Sequence, residues 1–74
     1  MNDRLLRRRD VEETTGLSRA TIYRHVHAGT FPPPRDYQGM KRWPESWVAA
    51  WKSKGADWRS GLPADADIPA PAQA

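Results

Sequence analysis

Within five residues, Thr14-Thr15-Gly16-Leu17-Ser18 stops one helix and starts another, which leaves few arrangements for the rest of so short a chain. Gly16 supplies the left-handed position just past a helix end, a conformation that side-chain-bearing residues adopt only at a cost. Ser18 can cap the following helix, because its hydroxyl can accept one of the orphan backbone N–H groups. Leu17 and Ile22 stand at the two positions of a hydrophobic staple. Upstream, a first helix runs from Arg8 or Arg9 to Thr15 with Val11 as its core residue. Asp10, Glu12 and Glu13 suit the positive end of its dipole, and Asp10 with Glu13 has the spacing of a capping box. Downstream, a helix over 18–28 puts Ile22 and Val26 on one core-facing stripe and stops at Gly29. Two short helices joined by a tight glycine-containing turn form a helix-turn-helix unit.

The flanking segments complete a small fold. Residues 4–6 read as a brief strand. Thr30-Phe31-Pro32-Pro33-Pro34 cannot be helical, since consecutive prolines lack donors and hold the chain extended. Arg35-Asp36-Tyr37 and Lys41-Arg42-Trp43 flank Gln38-Gly39-Met40, a hairpin pattern that makes 35–43 a wing. Residues 44–54 form a third helix, with Pro44 in its first turn, an apolar face of Trp47, Val48 and Trp51, and Gly55 at its end. The fold class is therefore mainly α with a small β-hairpin: a winged helix-turn-helix over 1–55. Residues 56–74, rich in Pro, Ala and Asp, read as a flexible, disordered tail, although Trp58 and Leu62 leave its boundary soft.

Composition narrows the function. Seventy-four residues make one domain, and the absence of cysteine excludes disulfides and thiolate metal sites. No apolar run approaches the roughly 18 residues of a membrane span, and no signal-peptide pattern follows Arg7-Arg8-Arg9. The chain is expected to be soluble and intracellular. Eleven of the twelve Lys and Arg lie in 1–54 against six of the nine acids, a net charge of +5 on the folded part. Such a bias favours polyanions, nucleic acid foremost.

Placed at about 100° per residue, the second helix turns Ala20, Arg24 and His27 away from Ile22 and Val26, with Thr21 and Ala28 beside them. Arg19 and Tyr23 occupy the flank, and no acid occurs between residues 14 and 35. A face of this kind fits the major groove, where Arg grips guanine O6 and N7 and a small residue such as Ala20 meets a thymine methyl. The candidate DNA-contacting set is Ser18, Arg19, Ala20, Thr21, Tyr23, Arg24 and His27 from this helix, with Lys41 and Arg42 from the wing. The plainer readings stay open: a solvated helix face, Tyr23 as a packing residue, and a solubilising hairpin. Arg7, Arg8 and Arg9 either clamp the DNA backbone or form a solvated run. His25 and His27 fall on different faces with no accompanying ligands, so no metal or other cofactor is expected. Trp43, Trp47 and Trp51 read as core, since burying aromatics of about 150–250 Å² each is how so small a domain holds together. Nothing places a base beside a nucleophile, so no enzyme and no small-molecule substrate is expected.

Arg4-Leu5-Leu6-Arg7, Val11, Thr15-Gly16-Leu17-Ser18-Arg19-Ala20-Thr21-Ile22-Tyr23-Arg24, Gly29-Thr30-Phe31-Pro32, and Trp43 and Trp51 together resemble the AlpA family of phage-type regulators. More broadly they are similar to the excisionase and MerR-type winged helix-turn-helix domains. The resemblance spans roughly residues 4–54. It implies sequence-specific binding of double-stranded DNA by a prophage or mobile-element transcriptional regulator, with helix 18–28 in the major groove and the wing on backbone or minor groove. It assigns Arg19, Thr21, Tyr23 and Arg24 to the groove and Lys41 and Arg42 to the wing. An excisionase-like directionality factor that bends attachment-site DNA is the neighbouring alternative. A protein-interaction module using helix 44–54 or the tail is the alternative of another class. A homodimer or a cooperative array on DNA is the expected assembly.

Overall fold

The computed structural model describes residues 4–64, 66 and 68. In chain order these form β1 (Leu5–Leu6), α1 (Arg8–Thr15), α2 (Arg19–Ala28), β2 (Arg35–Tyr37), β3 (Met40–Pro44) and α3 (Glu45–Lys54). A 3-10 segment, Gly55–Gly61, follows.

The turn between α1 and α2 is built as its residues dictate. Gly16 sits at φ +76° and its N–H donates to the Glu12 carbonyl at 2.8 Å. The Thr15 hydroxyl donates to the Val11 carbonyl at 2.7 Å and accepts the Leu17 N–H at 3.2 Å, so a side chain stitches the turn as well. The Ser18 hydroxyl accepts the Thr21 N–H at 3.3 Å, which caps α2. At the start of α1 the pairing differs from the spacing read in the sequence. Asp10 accepts the backbone N–H of Arg7 at 3.1 Å, so the capping contact runs one way, from Arg7 to Asp10, and does not join Asp10 to Glu13. Both pairs are three residues apart; the extended backbone at Arg7 decides between them.

The sheet is three-stranded and antiparallel in the order β1-β3-β2. β3 is its centre, pairing Leu6 with Trp43 on one side and Asp36 with Lys41 on the other. Tyr37 pairs with Met40, so the loop contracts to Gln38-Gly39, both at positive φ (58° and 88°). A two-residue loop of that kind matches the twist of the strands it joins. The Glu45 N–H donates to the Arg4 carbonyl at 2.7 Å, fastening the start of α3 to β1. Pro44 closes β3 and stands just ahead of α3, one step earlier than the first helical turn.

Leu6, Val11, Ile22, Val26, Phe31, Trp43 and Val48 form one buried cluster, with Leu17, Tyr23 and Trp51 packed against it. Phe31 meets Trp51 edge-on, ring centroids 4.9 Å apart. The prolines after Phe31 are more than spacers: Pro32 and Pro33 are buried, and the Pro32 carbonyl accepts the Trp43 indole N–H at 2.9 Å. Trp47 is buried and Trp51 half-buried on α3.

Residue 55 does not end the packed structure. Trp58 is wholly excluded from solvent, and its indole N–H donates to the Gly29 carbonyl at 3.3 Å. The segment Gly55–Gly61 therefore packs with the folded unit, burying Trp58 against the end of α2. Positions 65, 67 and 69–74 of the expected tail lie outside the described residues. The architecture is a winged helix-turn-helix: three helices around a small antiparallel sheet, mostly helical.

Candidate nucleic-acid interface

Burial divides α2 as its periodicity requires. Ile22 and Val26 face the core, while Arg19, Ala20, Arg24 and His27 are exposed, and Thr21 and Tyr23 lie half-buried between. Among the described residues neither Arg19 nor Arg24 makes an ion pair. Their guanidinium groups are thus presented to solvent from a helix anchored on its other side.

Other α2 residues already have partners. Ser18 and Thr21 engage each other twice, through the cap and through a hydroxyl pair at 3.0 Å. The first turn of α2 is thereby committed to its own start. His25 Nδ1 lies 2.8 Å from the Thr30 hydroxyl, and its carbonyl accepts the Thr30 N–H at 2.9 Å, so this histidine fixes the exit from α2. Tyr23 packs obliquely on Trp43, ring centroids 6.2 Å apart.

On the wing, Lys41 reaches Asp36 directly across the hairpin at 3.4 Å. The Asp36 carboxyl is held below its ordinary pKa, first by the Gly39 backbone N–H that it accepts at 2.6 Å, then by Lys41. Arg42 is braced within its own strand, donating to the Lys41 carbonyl at 2.9 Å.

Tyr23, Lys41 and Arg42 come together at a cleft of about 410 Å³, with Trp43 in its lining. Its third wall is Arg7, Arg8 and Arg9. The sequence offered that triplet only as a clamp or a solvated run. What places it opposite the wing is the pairing of β1 with β3, a contact across some 40 residues. Arg19, Arg24 and His27 do not line the cleft; they form a separate exposed face. Among the described residues no group of three His, Asp or Glu is placed to hold a metal ion, and no helix is long and apolar enough to cross a membrane.

No curated protein and no solved structure gives a significant match to this chain. One family model does, and it covers residues 4–54, from the strand that brings the arginine triplet to the wing through to the end of α3. That model is described as the prophage CP4-57 regulatory protein (AlpA), and the chain belongs to this family of phage regulatory, DNA-binding proteins.

Proposed function

We propose that the chain binds double-stranded DNA sequence-specifically as a transcriptional regulator of a prophage or other mobile element, with α2 in the major groove and the wing on the backbone or in the minor groove. The observation that carries this reading is the outward side of α2, where Arg19 and Arg24 stand exposed with no ion pair among the described residues. An unpaired guanidinium on a rigid helix is suited to the fork of guanine O6 and N7, and the exposed Ala20 allows close approach or contact with a thymine methyl. The partners of Ser18 and Thr21 give these two a capping role, which leaves base reading to Arg19, Ala20, Arg24 and His27. Tyr23, Lys41 and Arg42 are then backbone contacts.

Helix α3 offers little to an interaction-module reading, because Trp47, Val48 and Ala50 are already buried within the domain. A single module of this size buries only about 600–1,000 Å² on DNA, which favours a homodimer or a cooperative array on repeated half-sites. Fluorescence anisotropy with DNA from upstream of its own gene, against a scrambled duplex and across a salt series, tests the proposal. Affinity should fall steeply with salt through counterion release. Arg24→Ala should cut the preference for the correct duplex by about 1–3 kcal/mol. Equal binding of the two duplexes by the unaltered chain would overturn the reading.

A further inference from the structure

We infer that the cleft between the start of α1, Tyr23 and the wing is a seat for one backbone phosphodiester of the bound duplex, gripped from both sides by Arg9 and Arg42. The inference rests on the DNA reading above and adds to it a defined anion site that bridges two walls of the fold.

Its lining is the first argument. Five cationic side chains surround the cleft and no carboxylate lines it. Arg8 and Lys41 each have an acid partner, Glu12 at 2.9 Å and Asp36 at 3.4 Å, and both acids stand outside the lining. Arg7 pairs with Asp10 at 3.8 Å. Arg9 has no ion pair among the described residues, and Arg42 donates only to a carbonyl and to the Met40 sulfur at 3.7 Å. Two arginines without an ion pair among the described residues therefore line one opening, Arg9 from α1 and Arg42 from β3. Crowding of like charges is unfavourable in the free protein and is relieved by an anion. A guanidinium is also the side chain best matched to phosphate oxygens.

The second argument is the geometry of the duplex. The sugar-phosphate backbone is what separates the major groove from the minor groove. If α2 lies in one and the wing in or beside the other, a backbone strand must pass between them. The cleft occupies that position, bounded by Tyr23 of α2 and by Lys41 and Arg42 of β3. Tyr23 is held there by Trp43, which leaves its phenol available to the same phosphate.

One shared phosphate has a signature that a general positive potential lacks. Counterion release counts phosphates neutralised, at a log–log salt slope of about 0.9 for each. Arg9→Ala, Arg42→Ala, the double variant and the control Lys54→Ala, which lies outside the cleft, would be titrated with the preferred duplex. Each single cleft variant should weaken binding. The double variant should lower the slope by about 0.9 in all, which is about eightfold in affinity at 0.1 M salt. A scan of single neutral methylphosphonates along the duplex should then find one position that weakens the unaltered protein and leaves the double variant unchanged. Thermal melts establish that each variant is folded.

A slope loss near 1.8 with two separate methylphosphonate positions would refute the single seat. So would an Arg9→Ala, Arg42→Ala protein that binds like Lys54→Ala. In either case a retained effect of Arg24→Ala on sequence preference would leave the DNA reading standing. Failure of the unaltered protein to bind any duplex would overturn both.

Discussion

Replacing Trp58 tests whether the domain ends where the family match ends, at residue 54, or extends through the 3-10 segment. The indole is fully buried, covered on one face by Arg59, whose guanidinium carbon lies 4.4 Å from the ring centroid. Its N–H reaches the carbonyl of Gly29, the residue that terminates α2. Removing about 200 Å² of aromatic surface at about 25 cal/mol/Å² costs about 5 kcal/mol as an upper bound, against about 3–5 kcal/mol for measured aromatic-to-alanine changes. Domains of this size start from the low end of the usual stability range of about 5–15 kcal/mol. Trp58→Ala should therefore be partly unfolded at 25 °C, with its melting temperature lowered by at least roughly 12 °C at about 4–8 °C per kcal/mol. Trp58→Phe keeps most of the volume and loses the hydrogen bond, a cost of about 0.5–1.5 kcal/mol. A chain stopped after Lys54 should behave like Trp58→Ala. Thermal melts followed by far-ultraviolet circular dichroism give all three values. If Trp58→Ala and the shortened chain both lie within the ~0.5 kcal/mol typical of surface changes, the segment Gly55–Gly61 contributes nothing and the reasoning fails.

Gly16→Val should destabilise the fold by about 1–3 kcal/mol through backbone strain alone, since φ is +76° and no atom lies within 4 Å of where a Cβ would stand. Gly16→Asn should recover much of that loss, and equal melting temperatures for Gly16→Val and the unaltered chain would exclude a strained turn. Asp36→Asn should raise affinity for every duplex and steepen the salt slope by up to about 0.9, because it releases Lys41 from its pair; anisotropy that shows weaker binding would contradict this. The lowered pKa of Asp36 gives the pH dependence its sign. Its contribution to the hairpin is complete above the ordinary Asp value of about 3.9 and disappears as pH falls through the lower folded value, so the Gly39 amide should lose exchange protection only under acid conditions.

Local chemistry made much of this fold legible. Gly16, Ser18 and Gly29 act within one or two turns of the chain, and the Ile22 and Val26 stripe follows from helical spacing alone. The same is true of the exposed face of α2, where the missing acids and the helical period agree. The features that escaped depend on contacts distant in sequence. Trp58 meets Gly29 across 29 residues, and a proline-rich, acidic stretch around it argues locally for disorder. Pro32 and Pro33 are buried against the usual preference of proline for the surface, and the Pro32 carbonyl serves as the acceptor for the Trp43 indole. The arginine triplet becomes a wall of the cleft only once Leu6 pairs with Trp43. The Ser18 cap is legible from its position ahead of α2, whereas the bond between the Ser18 and Thr21 hydroxyls is seen only in the folded chain.

Trp43 links the two halves of the proposed interface, and that linkage can be separated from simple stability. Its indole donates to Pro32 just ahead of the wing, and its ring supports Tyr23 on α2. Trp43→Phe leaves the Pro32 carbonyl buried without its donor, a cost of about 1–3 kcal/mol, about twice the loss expected for Trp58→Phe. The two variants differ in what else they disturb. At Trp43 the relative placement of α2 and the wing loses its brace, so affinity should fall for all duplexes well below the melting temperature while the sequence preference set by Arg24 persists. At Trp58 the brace is intact, and DNA affinity at the same temperature should match the unaltered chain. Should both variants lose affinity only in proportion to their loss of stability, Trp43 is an ordinary core residue and the helix and wing are positioned independently of each other.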